Sequence, residues 1–70
     1  MKLKIDENAD ALYLRIDESE IFESDEVSPS VVIDYNKEGH IVGIEVLRLS
    51  TRANKINFKN LEFEIADSAI

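Results

Sequence analysis

The sequence contains no cysteine, and it has only one histidine and two glycines. Without cysteine, no disulfide can hold the fold together and no thiolate can bind zinc. The single histidine, His40, supplies too few nitrogen ligands for a zinc site. Gly39 and Gly43 alone cannot form the glycine-rich loop that binds phosphate groups. These shortages exclude disulfide-rich, zinc-binding and phosphate-loop folds.

Long apolar runs are also missing, since no stretch of the sequence approaches the roughly 20 apolar residues that cross a bilayer. The charges at the N-terminus are not followed by the apolar region of a signal peptide. We therefore expect a cytoplasmic protein that does not associate with membranes. At 70 residues, the chain is expected to form a single small domain over residues 1–70.

Such a small domain has a marginal core. It buries only about 60% of the surface that its unfolded chain exposes. Small domains without disulfides or metals often gain stability by oligomerising. We therefore expect the chain to self-associate, most simply as a homodimer.

The net charge of −7 is unevenly distributed along the chain. Residues 17–26, the acidic segment, hold six carboxylates and no base, whereas residues 48–59, the basic segment, hold four bases and no acid. An acidic chain is repelled by nucleic acid, which we do not expect as a partner. Charge runs are typical of solvated surfaces. The two segments also fit docking between subunits, or onto a small basic protein partner.

Apolar and polar residues alternate over several short stretches, which is the period of half-buried β-strands. Leu12, Leu14 and Ile16, for example, all lie on one side of such a stretch. The third stretch is loaded with acids, which fits a strand at the edge of a sheet. A hairpin loop with a glycine free to take positive φ joins the last two stretches. The pattern predicts strands near residues 2–5, 11–16, 31–35 and 41–47, and it indicates more weakly an edge strand over 21–27.

The C-terminal third fits two patterns. Apolar and basic residues repeat every three to four positions near residues 50–56, which predicts a short helical segment. Leu61, Phe63 and Ile65 alternate with glutamates, which predicts a last strand over 61–65, although a helical spacing also fits part of this stretch. The expected fold is mostly β, of the α+β class: a single antiparallel sheet of four to five strands with one short helical segment.

The two sides of this sheet are expected to differ. The core side is expected to carry Leu12, Leu14, Ile16, Val31, Ile33, Val42, Ile44 and Val46. Other residues are together too apolar for a freely solvated surface and form the expected interface between subunits: Tyr13, Val32, Ile41 and Leu47. A glycine inside a strand, at position 43, indicates a bulge or a close approach to the backbone.

Asp6, Asn8 and Asp10 copy the opening of a calcium-binding EF-hand loop. The sixth position of that loop needs glycine and here is Ala11, and the next residues alternate as a strand instead of curling around an ion. We therefore interpret this polar knot as a turn whose side chains bond their own backbone. No catalytic, cofactor-binding or metal-binding residue is predicted. The one alternative cluster of carboxylates is Asp6, Asp10 and Asp34.

Several motifs occur in a fixed order and spacing: Asp6-x-x-Ala9-Asp10-Ala11-Leu12-Tyr13-Leu14, Glu23-Ser24-Asp25-Glu26-Val27-Ser28-Pro29-Ser30-Val31, Asp34-Tyr35 and Gly39-x-Ile41-Val42-Gly43-Ile44-Glu45-Val46-Leu47. Together they resemble a small prokaryotic family, the domain of unknown function numbered 2283, over about residues 2–52. One departure is Ser30, where the family commonly has glycine after proline.

The resemblance implies a compact, mostly-β fold of bacterial or archaeal origin, and it brings no established activity. Members of the family resemble companions of small toxin-like proteins in some gene neighbourhoods, which would suit an acidic protein facing a basic partner. We therefore expect a non-enzymatic interaction module that self-associates, antitoxin-like in role and without a cofactor. The alternative is a small enzyme, or a ligand- or metal-binding protein, that uses the clustered carboxylates.

Overall fold

One antiparallel sheet makes up the regular structure of the chain in the computed structural model, which describes residues 1–52 and 56–67. Its strands lie in the order β1-β2-β5-β4-β3, and every neighbouring pair is antiparallel. The predicted mostly-β class with a single antiparallel sheet is confirmed. The five strands are β1 (Lys2–Asp6), β2 (Ala11–Arg15), β3 (Glu23–Ser28), β4 (Val31–Tyr35) and β5 (Ile41–Val46).

The C-terminal third differs from the prediction. The helical segment expected near 50–56 is one turn of 3-10 helix, Leu49–Thr51, and residues 53–55 of that prediction lie outside the described residues. Within a single copy, residues 61–65 form neither the predicted strand nor a helix, because they have no regular secondary structure. Alternation favours a strand only where a neighbouring strand pairs with its backbone, and no strand does so here. No helix among the described residues could span a bilayer.

The strand register assigns each side chain to one side of the sheet, since directly opposite residues on paired strands point the same way. We call the two sides the apolar side and the polar side. The apolar side carries Leu3, Ile5, Leu12, Leu14, Val31, Ile33, Ile44 and Val46, with Tyr35 and Ile41 near one end and Glu23, Asp25 and Ser28 on the edge strand β3. The polar side carries Lys2, Lys4, Asp6, Tyr13, Arg15, Ser24, Glu26, Val32, Asp34, Gly43 and Glu45.

The apolar side is only partly covered. Among these residues Ile33 alone is buried; the other seven aliphatic residues from Leu3 to Val46 and Tyr35 are half-buried, and Ile41 and the β3 residues are exposed. Val42, the extra residue at a bulge in β5, is fully buried, as predicted for the core. Ile16 was predicted in the core but is 37% exposed, because β2 ends one residue earlier at Arg15. Six of the eight predicted core residues thus share a side of the sheet, and within residues 1–52 and 56–67 no second layer of secondary structure covers them.

The loop between β4 and β5 is organised by Asn36, whose side chain is buried. Its Oδ1 accepts hydrogen bonds from the backbone N–H groups of Glu38 (3.1 Å) and His40 (2.9 Å). Gly39 has a φ of 85°, a left-handed conformation that glycine adopts without strain. This confirms the predicted hairpin loop, and it leaves the only histidine exposed in that loop.

Non-glycine residues with positive φ meet at one end of the sheet: Asp10 (54°), Ser30 (64°) and Arg48 (51°). Such backbone conformations cost about 1–3 kcal/mol each unless neighbouring contacts hold them. Here Leu49 N–H donates to the Asp10 carbonyl (3.0 Å), and Ser50 Oγ donates to its carboxylate (2.7 Å). Arg48 Nε donates to Ser30 Oγ at 2.7 Å. The segment after β5 therefore ties together the β1–β2 and β3–β4 turns.

The positive φ at Ser30 is a conformation that glycine, the residue expected here from the resemblance, would adopt more easily. Glycine adopts a φ of 64° without strain, so it is the favoured residue at such a turn. Serine replaces that freedom with a hydroxyl that accepts a hydrogen bond from Arg48, and its carbonyl accepts another from Leu47 N–H at 2.8 Å.

The burial pattern generates a stability prediction. Replacing Ile33 by alanine should lower the free energy of unfolding by about 2–5 kcal/mol, because the side chain is buried at the centre of the apolar side. Ile41→Ala is the matched control, since Ile41 is 46% exposed and the change should cost less than about 1 kcal/mol. Urea unfolding at one protein concentration measures both. Equal costs would show that the burial of Ile33 does not stabilise the fold.

Candidate functional site

A hydrogen-bonded cluster lies at the centre of the polar side. Tyr13 Oη donates to Asp34 Oδ2 at 2.7 Å, and Ser24 Oγ donates to Asp34 Oδ1 at 2.6 Å. The guanidinium of Arg15 approaches the Tyr13 hydroxyl, with Nη1 at 3.5 Å. Asp34 is only 8% exposed, and a buried carboxylate is costly unless such donors satisfy it. The cluster therefore links side chains from β2, β3 and β4 across β5.

Gly43 makes the contact between Tyr13 and Asp34 possible. It lies on β5, opposite Arg15 of β2 and Asp34 of β4. A Cβ atom at this position would overlap the Tyr13 hydroxyl, and it would lie 2.9 Å from Tyr13 Cζ and 3.1 Å from Asp34 Oδ2. The tyrosine side chain thus crosses β5 at the one position without a side chain. The close approach predicted at this glycine is confirmed.

The environment of Tyr13 changes its acidity. Burial raises the pKa of the Tyr13 hydroxyl above its ordinary value of 10.0, and the hydrogen bond to Asp34 raises the pKa further. The hydrogen bond from Arg15 acts in the opposite direction. At neutral pH the hydroxyl is therefore a protonated donor that holds the carboxylate, and it does not serve as a base.

Arg15 also holds the beginning of the acidic segment. Its Nε donates to the carbonyl of Asp17 at 2.6 Å, and its Nη2 donates to the carbonyl of Ser19. Asp17 Oδ1 in turn accepts hydrogen bonds from Ser19 Oγ and from Ser19 N–H, both at 2.6 Å. These two bonds, with the hydroxyl first, lower the pKa of the Asp17 carboxyl. Arg15 thus positions the segment that brings Ile21 to the rim of the groove described next.

A groove of about 400 Å³ opens beside the cluster. It is bounded by β1, β2, β4 and β5 and by the acidic segment. Three carboxylates and one ammonium group give it a net negative charge, which favours a cationic group. The residues that bring charge or a hydroxyl to its wall are Lys4, Asp6, Tyr13, Asp34 and Glu45.

The structure divides the three carboxylates that the sequence grouped together. Asp6 and Asp34 both line the groove, whereas Asp10 does not. The Asp10 carboxylate accepts from Ser50 N–H (3.0 Å) and from Ser50 Oγ, so it fastens the end of the sheet. Glu45 takes the third place in the groove. The sequence pattern does not reveal Glu45 as a site residue. It lies opposite Tyr13 in the register of β2 and β5, and only this strand pairing makes the two residues neighbours.

The polar knot has the hydrogen bonds of a turn. Asp6 Oδ1 accepts from Ala9 N–H at 3.0 Å, and the Glu7 carbonyl accepts from Asp10 N–H at 3.3 Å. Within residues 1–52 and 56–67, no three histidine or acidic side chains are grouped so that they could hold a metal ion. The knot thus shapes one wall of the groove through Asp6 and Ala9.

The residues predicted to form an interface lie in different places. Tyr13 and Val32 are on the polar side, and both are half-buried. Ile41 begins β5 and is exposed, whereas Leu47 follows the end of the same strand and is half-buried. A strand of this length separates the last two by about 20 Å. An interface through these four residues stays a prediction.

A model for a family described as "Protein of unknown function (DUF2283)" matches residues 2–50. The match covers all five strands, the cluster around Asp34 and the whole wall of the groove. It does not include the segment that follows the 3-10 turn. No curated protein and no solved structure matches the chain.

The contact over Gly43 predicts a coupling between two substitutions. Gly43→Ala should lower the free energy of unfolding by about 1–3 kcal/mol, because the new Cβ would displace the Tyr13 ring. In a Tyr13→Leu background the same change should cost less than about 1 kcal/mol, since no hydroxyl then lies over the glycine. Urea unfolding of the four chains measures the coupling. An equal cost in both backgrounds would show that the tyrosine does not cross β5 there.

Proposed function

The chain belongs to the DUF2283 family of proteins of unknown function, and we propose that it is a non-enzymatic interaction module that self-associates through the apolar side of its sheet. The observation that carries the proposal is a single-layer sheet with an apolar side that is largely half-buried. Stable domains pack at least two layers around one core. A second copy of the chain supplies the second layer. We place this module in the cytoplasm of a prokaryotic cell.

The exposed area of the chain supports this proposal. The chain exposes 5921 Å², whereas a folded monomer of its mass, 8.0 kDa, exposes about 4,450 Å². The excess is larger than the roughly 800 Å² that each partner buries in a standard interface. The radius of gyration is 14.0 Å, compared with about 11 Å for a compact domain of this length. The surface of one copy is therefore sufficient for a stable dimer.

The distribution of charge favours the apolar side as the contact. Each copy carries a net charge of −7, so two copies repel each other wherever their carboxylates approach. Asp6, Glu26, Asp34 and Glu45 are on the polar side, whereas Glu23 and Asp25 share the apolar side only at the exposed edge strand β3. Two sheets that pack through the apolar residues of their inner strands keep the polar-side carboxylates apart and leave Glu23 and Asp25 at the margin. The apolar side chains of the two sheets would interdigitate as in a β-sandwich.

Two adjacent valines test which side forms the contact. Val31 is on the apolar side and Val32 is on the polar side, and both are half-buried. We expect wild-type protein to sediment as a dimer at micromolar concentration at both low and high salt, because the contact is apolar. Val31→Lys should give a monomer of 8.0 kDa, because a lysine would be buried at the contact.

Val32→Lys is the matched control and should leave the dimer intact. The reverse result would move the contact to the polar side, as the sequence predicted from Tyr13 and Val32. A wild-type monomer at both salt concentrations would contradict self-association altogether. Sedimentation equilibrium decides among these results, and circular dichroism verifies that each variant is folded.

A second proposed function is an antitoxin-like role in which the polar side binds a small basic protein partner. Two observations favour it. The groove carries the carboxylates of Asp6, Asp34 and Glu45. The neighbouring edge strand β3 is exposed along its whole length and carries three more acids. An arginine or lysine side chain of the partner would enter the groove, while further bases lie along β3.

The groove is tested by titration with an oligo-arginine peptide. Asp6→Asn should weaken binding about tenfold, which corresponds to about 1.4 kcal/mol, because a charge-assisted hydrogen bond is lost. Glu7→Gln is the matched control, since it removes the same charge from the next residue, which does not line the groove. Equal weakening by the two variants would show general attraction without a site. Tight binding of a small diamine instead of the peptide would favour the ligand-binding alternative.

A further inference from the structure

The outer edge of β1 is an open edge of the sheet. Among the described residues, β1 pairs only with β2. Its lysines, Lys2 and Lys4, lie on the polar side, and its apolar residues, Leu3 and Ile5, lie on the apolar side. The opposite edge, β3, carries acids and no base, so an acidic strand would be repelled there. An added strand with acids on one side and apolar residues on the other would fit β1.

The segment 61–65 has this complementary pattern. Its apolar residues Leu61, Phe63 and Ile65 are 63%, 80% and 80% exposed, and they alternate with Glu62 and Glu64. In an extended strand, the three apolar side chains would point to one side and the two carboxylates to the other. Large apolar side chains with such exposure indicate a surface that has a partner.

The segment already lies near β1, but it does not pair with it. Leu61 and Phe63 line a groove of about 370 Å³ together with Met1, Leu3 and Leu14. Residues 61–67 nevertheless form no strand, and β1 keeps its outer backbone groups unpaired by any strand. Within one copy, the contact thus leaves most of the apolar surface of the segment exposed.

We propose that residues 61–65 of each copy add as a sixth strand to the β1 edge of the second copy, an inference that rests on the self-association proposed above. Phe63 and its apolar neighbours extend the apolar side next to Leu3. Glu62 and Glu64 lie beside the two lysines of β1, where opposite charges on adjacent strands stabilise pairing. Backbone hydrogen bonds between the segment and β1 supply the affinity, as in other strand additions.

The exchange is reciprocal. Each copy offers one β1 edge and one segment. In a pair of copies, each β1 edge therefore gains a strand from the other copy, and the pair is closed with two-fold symmetry. The segment also covers part of the apolar side at the margin of the sheet, next to the face-to-face contact. One dimer therefore hides the open edge and the exposed apolar residues at the same time.

Charge reversal tests the exchange. In Lys2→Glu/Lys4→Glu, each contact of a homodimer places acids beside acids, and in Glu62→Lys/Glu64→Lys it places bases beside bases. Each variant alone should dimerise at least tenfold more weakly than wild-type protein at low salt. A mixture of the two should regain the wild-type dissociation constant, because a mixed pair has opposite charges at both contacts. Sedimentation velocity with one variant fluorescently labelled measures the mixed dimer.

Each result of this experiment has a distinct meaning. If the mixture stays weak while the chain that combines all four substitutions dimerises normally, the segment pairs with its own β1 and the exchange is wrong. If both variants dimerise like wild-type protein and Val31→Lys still abolishes the dimer, the exchange is wrong while self-association stands. A wild-type monomer overturns both. Glu18→Lys/Glu38→Lys makes the same charge change as Glu62→Lys/Glu64→Lys at other exposed sites, and as its matched control it should dimerise normally.

Discussion

The apolar side of the sheet needs a covering layer, and this requirement governs the rest of the molecule. The sheet takes up residues 2–46, and the described residues that follow β5 are 47–52 and 56–67. The first of these residues fasten one end of the sheet, where Ser50 bonds Asp10 and Arg48 bonds Ser30. Among the described residues, no helix and no second sheet covers the apolar side. Because buried apolar area is the main source of stability in a small domain, a second copy is the simplest remedy.

The polar side is organised by a different constraint. A buried carboxylate must be satisfied, and Asp34 obtains its donors from Tyr13 and Ser24 on two other strands. The Tyr13 side chain can reach it only because Gly43 leaves space on the strand between them. This contact holds the strands together on the side that the apolar residues do not stabilise. It also forms one wall of the groove to which we assign a basic partner.

The two proposed contacts use separate parts of the chain. The groove and the whole sheet lie within the residues that match the family, 2–50, so a partner site there could be common to the family. The segment 61–65 lies outside that match. Strand exchange would therefore be a feature that this chain adds to the shared sheet, and the proposed dimer would leave the groove on the polar side accessible.

The sequence by itself determined the strands, because alternation with a period of two is a local property. It placed the five strands, the hairpin loop with its glycine, the turn that contains Asp6 and Asp10, and the side of the sheet on which the apolar residues lie. It also indicated a bulge or a close approach at Gly43, since nothing in the local sequence of a strand requires a glycine.

Only the tertiary structure decided which residues meet. Alternation sets the side of a side chain but not its neighbouring strands, and the order β1-β2-β5-β4-β3 brings Glu45 beside Tyr13 and separates Asp10 from Asp34. The same reason explains why residues 61–65 form no strand within one copy. Their pattern fits a strand, but no strand pairs with them there. A strand requires hydrogen bonds from a second strand, and those bonds depend on tertiary or quaternary contacts that no local pattern contains.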